Sequence, residues 1–155
     1  MELMIETQSL ALGANGAVTG AIWLRGRERG VESDFPELGW SDFPVAVLAS
    51  WLPALRRLAS DGEGAACHFM DGPYHFAVSP AEPGRWRVSC FEDRTRSTRD
   101  ERPVQLWLTE PAAFIASVTR GARAVLSHCD ARGWWNRDTE ELRRSLEAGD
   151  EHQVR

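Results

Sequence analysis

Hydrophobic residues recur along this chain with two different periods, and the points where the period changes divide it into elements. In residues 2–8, Leu3 and Ile5 alternate against Glu2, Met4 and Glu6. In residues 17–25, Val18, Ile22 and Leu24 share a face. Period-two alternation marks a half-buried strand, and the intervening Asn15-Gly16 supplies positive-φ turn chemistry, so an opening hairpin is predicted. Residues 25–40 then read as a long connection, of the kind that tends to carry function.

The period next becomes helical. Phe43, Val47, Leu48, Trp51, Leu52, Leu55 and Leu58 form one broad apolar stripe. Ser41 or Asp42 is placed to cap this helix, and Pro44 suits its first turn. Pro53 is expected to kink it and Asp61-Gly62 to end it. Four strands follow, over 65–70, 74–79, 85–92 and 103–109, the first two joined at Asp71-Gly72-Pro73. Helical spacing returns from Pro111, with Thr109 or Glu110 at the cap. Phe114, Ile115, Val118, Ala122, Val125, Leu126 and Cys129 point inward, and Gly133 is the stop. Asp138, Glu141 and Gly149 suggest a short third helix.

The order ββ-α-ββββ-α-(α) predicts an α+β fold: an antiparallel sheet of about six strands with two main helices packed on one face. A single domain over 1–149 is expected, followed by a polar tail over 150–155. A chain of 155 residues suffices for this, since that length buries roughly 68–70% of its unfolded surface.

Composition then removes some functions. Net charge is −5, which opposes a general grip on nucleic acid, because phosphates require a basic surface. It leaves open a basic protein partner, approached by electrostatic steering. All 18 basic residues are Arg, an outcome that GC-rich coding produces without selection, yet Arg still offers a planar fork to carboxylates. Cys67, Cys90 and Cys129 are odd in number and widely spaced, as free thiols in a reducing cytoplasm are. No basic-then-apolar leader opens the sequence, and no apolar stretch approaches membrane-spanning length, so neither secretion nor membrane insertion is expected.

Three groups of residues invite chemistry. Cys67, His68, Asp71 and His75 are the raw material of a metal site or a nucleophile-base-acid set. Neighbours on a strand point to opposite faces, however, and turns require Asp-Gly for backbone reasons alone. Neither a phosphate-cradling loop with Lys nor a nucleophile elbow is present, so no catalytic residue, metal or cofactor is assigned. The run Arg94, Arg96, Arg99 and Arg102 is interrupted by Asp100 and Glu101 and reads as a solvated hairpin loop.

The best recognition candidate is the stretch from Glu32 to Asp42. Glu32, Asp34, Glu37 and Asp42 surround Phe35 and Trp40, a pairing of aromatic anchor and charged rim found at interface hot spots. Trp40 packed as a staple on Val45 is the competing reading. Trp134-Trp135 raises the same question: two adjacent indoles do not both enter one core, which makes Trp135 a further contact candidate.

This order of elements resembles small bacterial immunity proteins that neutralise polymorphic toxins, notably the family paired with wall-associated-protein toxins. The likeness rests on Trp51-Leu52-x-x-Leu55, on Phe69-Met70-Asp71-Gly72-Pro73-Tyr74, and on Val104-Gln105-Leu106-Trp107-Leu108 leading into a terminal helix. It covers about residues 40–130. The resemblance implies a cytoplasmic, non-catalytic protein that occludes a cognate toxin domain, here a basic one. A small metal protein or enzyme using Cys67, His68, Asp71 and His75, and a secretion accessory or adaptor, are the alternatives.

Overall fold

The computed structural model describes residues 1–93 and 102–153. The strands are β1 (Glu2–Ile5), β2 (Ala11–Leu12), β3 (Val18–Glu28), β4 (Val31–Phe35), β5 (Ser41–Asp42), β6 (Ala65–His68), β7 (Tyr74–Pro80), β8 (Trp86–Glu92) and β9 (Gln105–Thr109). The helices are α1 (Pro44–Asp61), α2 (Pro111–Arg132) and α3 (Arg137–Gln153), with a single 3-10 turn at Thr7–Ser9. Arg94, Arg96 and Arg99 of the arginine run lie outside the described residues, and Arg102 is exposed.

The fold is α+β, but its strands form two antiparallel sheets, of five and four strands, where one of about six was expected. The cause is β3, an 11-residue strand whose two edges are both occupied. Ala21 exchanges bonds with the Glu6–Ser9 segment, while Ile22 donates its N–H to the Trp40 carbonyl at 2.8 Å. Successive residues of a strand turn their backbone groups to opposite edges. So β1 and β2 line one edge of β3, and β4 and β5 line the other. No edge remains for the later meander β6-β7-β8-β9, which makes its own sheet. The two sheets meet where the Trp107 indole lies flat on Gly26, a position with no room for a Cβ.

Residues 25–40 are not an irregular connection. Arg29 and Gly30, at φ 50° and 81°, form a two-residue turn that folds β4 back on β3. In β9 it is Trp107 that faces inward, 1% exposed, while Leu106 and Leu108 face out.

Helix α1 is the centre of the core. Val45, Val47, Leu48, Trp51, Leu52, Leu55 and Leu58 are all buried, because β3 and β6 cover one side of the helix and α2 and α3 the other. Each such side chain contributes on the order of 1.5–3 kcal/mol. The Trp51 indole donates to the His68 carbonyl at 2.9 Å, which removes the cost of burying its N–H. The helix is continuous through Pro53 and ends at Gly62, φ 73°, whose N–H returns to Leu58 O. Its cap differs from expectation: Phe43 occupies the cap position without a side-chain bond, and the Asp42 carboxylate is engaged elsewhere.

Helix α3 also differs. Its cap is Asn136, not Asp138: Asn136 Oδ1 accepts the Thr139 N–H and Thr139 Oγ1 accepts the Asn136 N–H, both at 2.9 Å. Gly149 does not end the helix, which continues to Gln153 through most of the expected tail.

Candidate functional site

Asp42 organises one end of the molecule. It is held in β5 by pairing with Gly20 and is 2% exposed. Its Oδ1 accepts from the backbone N–H groups of Phe43 at 2.7 Å and Met70 at 3.1 Å. Its Oδ2 accepts from Trp40 Nε1 and from the Asp71 N–H, both at 3.1 Å. A carboxylate has about four acceptor directions, and all of them are used. The bonds tie the start of α1 to the β6–β7 turn, across 28 and 29 residues of sequence.

Aromatic packing completes the join. Trp40 meets Tyr74 edge-on with centroids 5.0 Å apart and lies over Gly72, where a Cβ would approach its ring to 3.0 Å. Beneath them Phe35 packs edge-on against both Phe69 and Tyr74. Asp71 Oδ1 accepts the Gly72 N–H at 3.0 Å, and Gly72 takes φ +66°, so the turn is fixed from inside as well. On top of this base the turns 36–39 and 69–73 stand side by side. Their outward residues are Glu37, Leu38, Met70 and Asp71, with Leu38 66% and Met70 61% exposed.

The candidates read from the sequence separate along β3. Glu32 lies opposite Arg27, at the far end of the β3–β4 hairpin, and approaches both Arg25 and Arg27 at 3.5 Å. Asp34 is bound to Arg25 Nε at 2.8 Å and to the Trp23 indole at 3.0 Å, and this hydrogen bond raises the Arg25 guanidinium above its ordinary value. Phe35 is core, 2% exposed. Trp40 and Asp42 hold the tip together and do not face solvent as a rim. Glu37 alone of the seven stands on the exposed tip. Trp135 is 70% exposed but belongs to another place: its neighbour Asn136 donates to Gly16 O, at the turn that opens β3. Trp134 is partly buried beside His128, with Arg132 over its ring.

The Cys67, His68, Asp71 and His75 set is divided by the pleat. Cys67 points into the core, where burial pushes its thiol up to about 12. Burial raises the Cys90 and Cys129 thiols as well. His68 and His75 lie on the outer face and stack with centroids 5.1 Å apart, His75 bound to Asp93 at 2.8 Å. Among the described residues, no group of three or more His, Cys, Asp or Glu side chains is placed to hold a metal ion, and no helix is long and apolar enough to cross a membrane.

Sequence reading did not single out Leu38 and Met70, which the structure leaves as exposed apolar side chains at this end. The signal was present for Met70: with Cys67 and Phe69 inward, alternation turns Met70 outward immediately before the Asp-Gly turn. In comparison with known proteins, the chain matches no family model, no curated protein and no solved structure.

Proposed function

We propose that this chain is a non-catalytic cytoplasmic binding protein of the immunity type, which occludes a basic toxin domain with the tip built on Asp42. The observation that carries the reading is the fastening itself. One saturated, buried carboxylate binds the β6–β7 turn and the Trp40 indole, and the turns next to that join expose two large apolar side chains, Leu38 and Met70, and the carboxylates Glu37 and Asp71. Apolar anchors with a charged rim are the anatomy of an interface centre. Rigid support lowers the ordering cost that binding otherwise incurs, and a net charge of −5 favours encounter with a cationic partner.

The test is co-purification with the toxin domain encoded beside its gene. A complex with a dissociation constant near nanomolar, about −12 kcal/mol, that weakens as salt is raised supports the proposal. Absence of a complex with a folded, soluble toxin domain would overturn it. A secretion accessory or adaptor would use the same surface, and capture of a secreted cargo in place of a toxin assigns that role.

A further inference from the structure

The helical side of the molecule carries a cleft that the docking tip does not use. Between α1, α2 and α3 lies a cavity of about 390 Å³, lined by Arg56, Ala112, Ile115, Ala116, Thr119, Arg120, Arg123, Gly149 and Asp150. Arg56 lies twelve residues beyond Pro44 on α1, roughly 18 Å along the axis from the tip at 1.5 Å per residue. Arg56 is partly buried, and loss of solvent lowers its guanidinium from the ordinary value. Among the described residues its hydrogen-bond partner is the Ser145 carbonyl, bonded through Nη1, and the charge of Asp150 acts on it favourably. A guanidinium carries five N–H donors, and this bond uses one of them.

Gly149 is what admits the fork. A Cβ at that position would fall on the Arg56 guanidinium, so the side chain enters a notch that only glycine leaves open in α3. Arg120 and Arg123 reach the same cavity from α2, and Arg123 Nη2 is paired with Asp150 Oδ1 at 2.6 Å. Among the described lining residues, three arginines face one aspartate, an excess of two positive charges around a space open to a small molecule. Two charges match a phosphoryl dianion, whereas a single carboxylate neutralises one. Arg forks suit phosphate oxygens geometrically.

We propose that the cleft between α1, α2 and α3 is a binding site for a phosphoryl group, held by Arg56, Arg120 and Arg123. The phosphoryl group belongs either to a soluble ester or to a lipid headgroup, and the test has an arm for each. Pyrophosphate is titrated calorimetrically into the full chain at low salt. Co-sedimentation with phosphatidylcholine vesicles, with and without phosphatidic acid, is measured in parallel. Saturable one-to-one binding of pyrophosphate is expected, weakened about tenfold by Arg120→Ala and again by Arg123→Ala, since each removes a charge-assisted hydrogen bond. Arg87→Ala, on the outer face of β8, leaves it unchanged. Co-sedimentation that needs phosphatidic acid and is lost in Arg120→Ala assigns the group to a lipid; pyrophosphate binding without co-sedimentation assigns it to a soluble ester. No saturable binding in either arm would overturn the proposal. So would binding that Arg120→Ala and Arg123→Ala leave intact, or that Arg87→Ala weakens equally. Arg120 is exposed, so an unchanged melting temperature for its variant shows that any loss is not unfolding.

Discussion

Asp42 and Arg56 are both charged side chains drawn away from solvent, and the molecule treats them in opposite ways. Asp42 is met by four N–H donors, three from the backbone and one from the Trp40 indole. Arg56 has five donors and meets the carbonyl of Ser145. The difference separates a fastener from a site. A buried charge whose every direction is filled has nothing left to bind with, and its effect is mechanical: it fixes what its partners belong to, here the turn carrying Met70 and the Trp40 indole two residues beyond Leu38. A guanidinium held at the wall of a cavity with donors to spare is set up to receive an acceptor from outside. In the two proposals, recognition at the tip therefore falls to residues beside the Asp42 join, and recognition in the cleft to the charge itself.

The largest effect is expected from Asp42→Ala. It strands backbone N–H groups and an indole N–H in a desolvated place, and the expected loss is about 3–5 kcal/mol, read from denaturant unfolding. A loss under about 1 kcal/mol would show that Asp42 is not a fastener. The same variant has a second readout at Cys67, three residues before Met70. With its thiol pushed up to about 12, Cys67 is almost wholly protonated at pH 8 and reacts slowly with a disulfide reagent. Loosening the turn is expected to speed labelling of Cys67 well before global unfolding. Equal labelling rates in both proteins would contradict the link between Asp42 and this strand.

Gly149→Ala separates the two regions more finely. Alanine favours an α-helix over glycine by up to about 1 kcal/mol. The new Cβ must displace a flexible Arg side chain, so melting is expected to change little, within about 1 kcal/mol in either direction. Pyrophosphate binding is nevertheless expected to fall, because Arg56 leaves the notch. A variant that binds pyrophosphate as the parent does would remove Arg56 from the site. The smallest effect is expected from Glu37→Ala with Asp71→Asn, which removes both charges and keeps the Oδ1 that accepts the Gly72 N–H. Rim charges act mainly on encounter, so association with a basic partner slows and its salt dependence flattens, while the dissociation rate barely moves. A change confined to dissociation would mean these carboxylates are central contacts.

Much of the fold was legible in the sequence because its apolar periods are long and clean. The stripes of α1 and α2 and the strands of the second sheet stand close to where alternation and turn residues put them. The β3–β4 hairpin was hidden by charge. Arg25 and Arg27 opposite Asp34 and Glu32 look like a solvated connection until strand register pairs them, yet that cross-strand alternation around Arg29-Gly30 was the available signal. The two-sheet division was not legible, since it depends on both edges of β3 being filled. The candidate site suffered from the same locality. Within one stretch, Glu32, Asp34, Phe35, Glu37, Trp40 and Asp42 look equivalent. Only the contact with Met70 and Asp71, more than two dozen residues away, makes Asp42 a support and leaves Glu37 and Leu38 as surface. Arg56 was one of many arginines until Gly149, expected as a helix stop, turned out to be the notch that holds it.

The most direct test of the account is the affinity of the Leu38→Asp, Met70→Asp double variant for the proposed partner, a toxin domain encoded beside the gene, measured against the parent chain. Both side chains are more than half exposed, so folding stability is expected to stay within about 0.5 kcal/mol per substitution. Binding is expected to weaken at least a hundredfold, about 2.7 kcal/mol, as two apolar anchors become charges that must be desolvated at the centre of the contact. A folded variant that binds the toxin domain as tightly as the parent would contradict the assignment of the Asp42-fastened tip as the docking surface.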